Sequence, residues 1–273
     1  MLRHRLTDRE FNAIRYLLPK ERTGKKGRPW VTHRNIIDGI FWICKTGSPW
    51  RDLPEEFGKW QTVYARFRRW TTKGLWDRIY VTLLKRLDKL EKIDRTLWCV
   101  DGSVIRAHRC ASGIIQQSEE NDELVALGRS RGGYSTKIHV LCDGEGTLLG
   151  VNVTGGQRHE STELENLIDH CELSLYRHDS RPDAIAGDKG YSSGNIRDHL
   201  SELGIEPVIG SKSNESRDET FDREAYGRRN IVERLIGWLK ESRRVATRYD
   251  KLACSYLAFV GIAAMRRVLK TIC

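Results

Sequence analysis

The sequence predicts a mixed-sheet α/β domain preceded by a small all-helical unit. Three observations carry this. Up to about Asp94, apolar residues recur at helical spacing, most clearly Ile36, Ile37, Ile40, Phe41 and Ile43. From Thr96 the chain reads strand, strand, strand, helix, strand, helix, strand, helix. Between the two patterns, Glu91 to Arg95 is a polar link. The expected units are residues 1–94 and 95–273.

The helical unit opens on Thr7-Asp8-Arg9-Glu10, a hydroxyl residue with glutamate three positions on, which is a capping box. Phe11, Ile14, Leu17 and Leu18 follow, and Pro19 ends the helix. The loop after it is cationic through Lys20, Arg22, Lys25, Lys26 and Arg28. The second helix stops at Thr46-Gly47-Ser48-Pro49. A third starts near Lys59, with Val63, Phe67 and Trp70 on its apolar side and Arg66, Arg68 and Arg69 elsewhere. A fourth runs from about Leu75 to Leu90. Six of the eight tryptophans fall in this unit and are expected mainly in its core. A helix, a turn with glycine and proline, then an arginine-bearing helix suits a helix-turn-helix-like DNA-binding unit. Any small bundle on a basic chain shares those features.

In the second unit, Thr96 to Ala107 has strand character with Asp101 in its middle. A carboxylate there is costly unless it is paired, protonated or on a metal. Gly102 beside it leaves room for backbone or ligand. Gly128 to Tyr134 interleaves glycines with Arg129 and Arg131, which can bring amides and cations to phosphates, but it lacks the ending of a phosphate-binding Walker loop. Strands are expected over Thr136–Cys142 and Thr147–Thr154, joined at Asp143-Gly144-Glu145-Gly146. Then come a helix from Glu160 to Cys171, a strand from Asp183 to Gly187 ending at Asp188, a helix from Asn195 to Leu203 and a strand from Ile205 to Ile209.

The bulk numbers narrow the partners. The 273 residues are 39% hydrophobic and carry a net charge of +10, which favours an anionic partner. The longest apolar run, Leu252 to Met265, is shorter than the roughly 18 residues of a membrane span. A buried helix is expected there, with DNA rather than membrane as partner. Seven scattered cysteines with no CxxC pair argue against a zinc ribbon or disulfide framework and for a reduced, cytoplasmic protein.

Tyr226 to Lys251 holds the densest chemistry. On one helix, Tyr226, Arg229, Glu233 and Lys240 would share a face, with Ile231, Leu235, Ile236 and Leu239 on an adjoining one. Such a stripe suits a phosphodiester, and equally a solvated helix with an Arg229–Glu233 ion pair. The element order is that of a ribonuclease-H-like fold, in which the first and fourth strands lie side by side. That brings Asp101 and Asp188 together, with Glu233 entering from a helix. Three converging carboxylates repel one another, and divalent cations relieve this, as in the two-metal arrangement for in-line phosphoryl transfer. Lys189 beside Asp188 is read as a phosphate contact, as are Arg243, Arg244 and Arg248. His139 and His159 are read as packing residues.

At this point the chain resembles the IS-five family of bacterial insertion-sequence transposases, which carry an aspartate-aspartate-glutamate site. The resemblance runs nearly end to end, through LTDREF, GRPW, DGIFWICKTGSPWRDLPEEFGKWQTVYARFRRW, VDGSVIRAH, GRSRGGYSTKIH, AGDKGYSS and RNIVERLIGWLKESRRVATRYDK. Tyr226, Arg229, Glu233 and Lys240 match the family's tyrosine-arginine-glutamate-lysine signature. The resemblance implies that Asp101, Asp188 and Glu233 bind two Mg²⁺ ions, with Mn²⁺ as substitute. It implies that Tyr226, Arg229 and Lys240 contact DNA near the scissile phosphate. The partners implied are the element's terminal inverted repeats, target DNA and a second copy of the chain. Two other readings use the same residues: a ribonuclease-H-like nuclease that cuts without joining, and a non-enzymatic DNA-binding descendant of a transposase.

Overall fold

The computed structural model describes residues 4–21, 31–112, 124–130, 132–169, 171, 181–212 and 221–273. Four helices come first: α1 (Asp8–Arg15), α2 (His33–Thr46), α3 (Trp60–Thr72) and α4 (Leu75–Lys89). The capping box forms as expected, Glu10 N–H donating to Thr7 Oγ1 and Thr7 N–H to the Glu10 carboxylate. α2 ends where Gly47 turns left-handed at φ +68°. A Cβ on Gly47 would lie 2.9 Å from Cβ of Arg243, so glycine there also lets the 243–246 segment approach.

A seven-stranded mixed sheet follows. Its path is β2 (Gly128–Ser130), β3 (Gly133–Asp143), β1 (Leu97–Ala107), β5 (Ala184–Gly187) and β6 (Glu206–Ile209). β4 (Leu148–Gly155) also pairs with β3, and the short β7 (Thr247–Arg248) pairs with β1. β1, β3 and β4 are antiparallel neighbours, while β1, β5 and β6 run parallel. This is the ribonuclease-H-like order that the element sequence predicts. The remaining helices are α5 (Leu164–Asp169), α6 (Gly194–Glu202), α7 (Arg223–Arg228), α8 (Asn230–Lys240), α9 (Arg243–Ala246) and α10 (Ala253–Ile272).

The predicted buried helix is α10. It packs on α2, α3, α4 and β4, so the leading helices and the sheet share one continuous core. Phe259 of α10 stacks on Phe67 of α3 at 4.6 Å and lies 6.1 Å from Trp50. Trp70 and Trp76 are core, as their apolar neighbours predict. No helix among the described residues is long and apolar enough to cross a membrane.

Three arginines read from sequence as DNA contacts turn inward instead. Arg66 is 4% exposed and meets His33 Nδ1 at 3.0 Å; burial lowers its pKa. Arg244 is 5% exposed and grips Asp250 with two bonds of 2.9 and 3.0 Å. Arg248 is fully buried, donating to the carbonyls of Val125, Ala126, Asp250 and Lys251 and to Thr136 Oγ1. Burial lowers its pKa to about 10, so it stays cationic at neutral pH. A guanidinium committed to a carbonyl cage has no donors left for a phosphate. Arg68 is half-buried and donates to Ser255 Oγ at 2.5 Å, whereas Arg69 and Arg243 are exposed.

Arg248 therefore ties residues 125–126 and the turn at 248–251 to β3. Arg248→Lys, which keeps the charge but loses the planar fork, should lower unfolding stability by about 3 kcal/mol in urea titrations, since hydrogen bonds to charged groups contribute roughly 1.5–3 kcal/mol each. Arg243→Ala on the surface should change it by less than about 0.5 kcal/mol.

Candidate active site

The site is built on the parallel pair β1 and β5, whose register runs Leu97↔Ala184, Trp98↔Ile185 and Cys99↔Ala186. Two residues beyond the last pair, each chain carries an aspartate (99 + 2 = 101, 186 + 2 = 188). Asp101 Oδ1 accepts from the Gly102 N–H at 2.8 Å. Asp188 caps the 3-10 turn Lys189–Tyr191 and accepts from the Gly190 N–H at 2.7 Å. Each aspartate thus has one oxygen held by a backbone amide.

The third acid of the cluster is Glu160, at the start of the 3-10 turn Glu160–Glu163 that follows β4. One oxygen from each of Asp101, Glu160 and Asp188 lies within 4.8 Å of the others. All three are half-buried. Burial raises the Asp101 pKa to about 6, and the charges of Glu160 and Asp188 add to it. The Gly102 N–H and the Arg229 charge oppose the rise. A cluster of hard carboxylate oxygens with neither thiolate nor imidazole fits a divalent cation of the Mg²⁺, Mn²⁺ or Ca²⁺ kind.

Glu233, the expected third member, stands outside that cluster. Its side chain is 52% exposed and ion-paired with Arg229 Nη2. Arg229 Nη1 lies 3.7 Å from Asp101 Oδ2, so the arginine sits between Asp101 and Glu233. Burial works against the Arg229 charge, but the Glu233 hydrogen bond and Asp101 more than offset it and raise its pKa. The structure thus brings Asp101 and Asp188 together and puts an arginine between Asp101 and Glu233.

The single helix expected through Tyr226, Arg229, Glu233 and Lys240 is two. α7 ends at Arg228 and α8 starts at Asn230. The Arg229 N–H reaches Tyr226 O and Gly227 O rather than continuing the i−4 ladder. Gly227, a weak helix former, sits at the break. The four residues nonetheless stay near the site. The Arg229 guanidinium is 5.9 Å from the Tyr226 ring, and Lys240 Nζ donates to Ser103 Oγ on β1 at 2.8 Å. Lys189 is exposed beside Asp188. Arg129 is exposed, 5.9 Å from the Tyr134 ring, while Arg131 lies outside the described residues. His139 is buried against Thr154, its pKa lowered by burial to about 4, and His159 caps the Glu160 turn through Ser161. His139 packs as the sequence suggests, whereas His159 is exposed and serves as a cap rather than as a packing residue.

Sequence reasoning missed Glu160, Lys137 and Tyr191. Lys137 Nζ lies 3.2 Å from Glu160 Oε1. Tyr191 is fully buried and its hydroxyl has no hydrogen-bond partner among the described residues. One signal was present: Gly102 was read as room for a ligand, and that room holds the Glu160 side chain.

Comparison with known proteins gives family matches over both parts of the chain. A family described as "Putative transposase of IS4/5 family" matches residues 6–80. Among relatives, an insertion element IS402 uncharacterized 16.2 kDa protein of Burkholderia cepacia is 40% identical over 107 residues, 37% of this chain and 73% of its own. A "Putative transposase for insertion sequence element IS402" from the same organism is 34% identical over 131 residues, 46% of this chain and 59% of that one. A crystal structure of a pre-cleavage Mos1 transpososome aligns over 92% of this chain and 82% of its own at 12% identity and a TM-score of 0.28, too loose to add to the fold read from the sheet order. The transposase DDE domain matches residues 92–266, and the chain belongs to that family of transposases.

Proposed function

We propose that this transposase binds the terminal inverted repeats of an insertion sequence, hydrolyses DNA at the element's ends and joins the freed 3′-hydroxyls to target DNA. The observation that carries this is the placing of Asp101 and Asp188 just past the paired stretch of the parallel strands β1 and β5, with Glu233 one arginine away. Asp101, Asp188 and Glu233 are the metal-binding carboxylates of this reading. When bound, two Mg²⁺ ions, or Mn²⁺ in their place, would supply Lewis acidity for the attacking and leaving oxygens.

The chain's own residues do the rest. Asp101 and Asp188 hold a fixed concentration of negative charge, oriented by the Gly102 and Gly190 amides. Arg229 is a bidentate fork that suits a phosphate better than a lone carboxylate oxygen. In this reading DNA phosphate draws Arg229 off Glu233 and frees that carboxylate for the site. Lys240 and Tyr226 flank the path of the strand. No covalent protein–DNA intermediate is needed, so Tyr226 positions and does not attack. Exposed Arg69, Arg129, Lys189 and Arg243 suit backbone contacts, which bind without reading sequence. Residues 1–94 act as the DNA-binding unit and 95–273 as the catalytic one, and two ends are brought together by a homodimer or higher oligomer.

Asp101→Ala, Asp188→Ala and Glu233→Ala should each cut Mg²⁺-dependent end cleavage by at least about 100-fold, the scale on which one charge-stabilising group acts, with end binding in gel shifts largely intact. Full cleavage by any of the three refutes the triad. Pre-cleaved ends supplied with target DNA separate the activities: joined product is expected, and cutting without joining leaves a nuclease.

Arg229→Ala should weaken both DNA affinity and cleavage. Normal values for both would remove Arg229 from the phosphate site.

The pH dependence follows from Asp101. Its carboxyl, at about 6, is ionised at pH 7.5 and protonated at pH 5. A cation must displace that proton, so affinity falls about tenfold per pH unit below 6. The rise in melting temperature on adding Mn²⁺ should therefore be larger at pH 7.5 than at pH 5.

A further inference from the structure

We infer that Glu160 is a fourth carboxylate of this metal centre, which with Asp101 and Asp188 holds a divalent cation in the DNA-free protein, before Glu233 is released from Arg229. The inference rests on the reading of the site as a divalent-cation centre. It adds a residue that the aspartate-aspartate-glutamate pattern does not contain.

Four observations converge on Glu160. First, its carboxylate, not that of Glu233, shares the 4.8 Å cluster with Asp101 and Asp188. Second, the Tyr191 hydroxyl is fully buried and has no partner among the described residues, in the turn that Asp188 caps. Burial raises its pKa, and the nearby charges of Glu160, Asp101 and Asp188 raise it further. An orphaned buried hydroxyl is costly and marks a place where a ligand or its water shell supplies the missing bond. Third, the backbone is shaped around Glu160. A Cβ on Gly102 would lie 2.7 Å from Glu160 Cγ and 2.8 Å from its Cδ and Oε1. A Cβ on Gly190 would lie 3.6 Å from Glu160 Oε2. Fourth, Glu160 already needs a cation: Lys137 stands 3.2 Å from it, with 12% of its side chain exposed. Lys137 Nζ also donates to Arg158 O, so it keeps a bond if a cation takes over Glu160.

Glu233 contrasts at each point. It is half exposed and its nearest cation is Arg229, which sits between it and Asp101. Two cation positions with different histories result. One is preformed by Asp101, Asp188 and Glu160, and the other is completed by Glu233 only when Arg229 moves to DNA.

The test is Mn²⁺ binding by the purified full-length protein without DNA, read from the loss of the free Mn²⁺ signal in electron paramagnetic resonance. Wild type should bind. E233Q should bind within about twofold of wild type, while E160Q should bind at least about tenfold more weakly, since even an outer-shell partner typically costs that much. G102A should weaken binding to a similar degree by crowding Glu160 while leaving every carboxylate in the sequence. It carries the test should E160Q fail to fold, which circular dichroism would show. D188N separates the two readings. Lost binding in D188N with wild-type binding in E160Q and G102A overturns the role of Glu160 and leaves the metal centre standing. Absence of Mn²⁺ binding by wild type overturns the preformed site and the cation reading together.

Discussion

The crowding of like charge just past the paired stretch of β1 and β5 is the constraint on which the rest of the site depends. Three carboxylates within 4.8 Å repel one another, and the protein offsets this in three ways. Backbone amides of Gly102 and Gly190 hold Asp101 and Asp188. Lys137 holds Glu160, and Arg229 lies against Asp101. The Asp101 pKa of about 6 shows that these do not fully cancel the cost of burial. A cation would cancel it more completely, because one divalent charge reaches all three oxygens at once. The parallel register of β1 and β5 brings residues 101 and 188 to the same level.

Part of this was legible in the sequence. Strand character and turn residues located β1, β3 and β4, and Asp101 stood out because a carboxylate in an apolar strand needs a reason. Asp188 followed from the element order. Glu160 was not legible because a glutamate in the first turn of a helix is ordinary, and only the folded chain brings that turn over Gly102. The break at Arg229 was hidden because the residues on either side keep helical spacing; it turns on Gly227 and on how one N–H is shared between two carbonyls. Arg66, Arg244 and Arg248 misled for a different reason. A basic composition makes each arginine look like a phosphate contact, yet burial depends on partners far along the chain, such as Val125 and Ala126 for Arg248.

The leading helices show how two sequence patterns can share one interior. Their pattern is helical and the rest of the chain mixes strands with helices, and family matches fall separately on 6–80 and 92–266. Yet Phe67 and Trp50 pack on Phe259, Arg68 bonds Ser255, and Arg244 bonds the Ser48 carbonyl. α10 is therefore the element that joins the two patterns. The basic segment 243–251 is anchored by the same contacts, since Arg244 and Arg248 hold it from beneath while Arg243 stays exposed. The inward arginines thus fix the surface on which the outward one is displayed.

Arg229 gives the site its direction. It sits at the α7–α8 junction, where the backbone already departs from a regular helix, so moving its side chain does not require breaking a continuous helical ladder. Its two carboxylate partners differ in burial: Asp101 is 17% and Glu233 52% exposed at the side chain. Glu233 makes the direct hydrogen bond and Asp101 only a 3.7 Å contact, but the Glu233 pair is the one open to water and to other anions. In the proposed reading an incoming phosphate reaches the Glu233 side of the fork, while the guanidinium keeps its place near Asp101. Glu233 would then stand without a counter-ion beside a cluster that attracts cations. That order of events follows, in this reading, from the difference in exposure between the two acids that one arginine bridges.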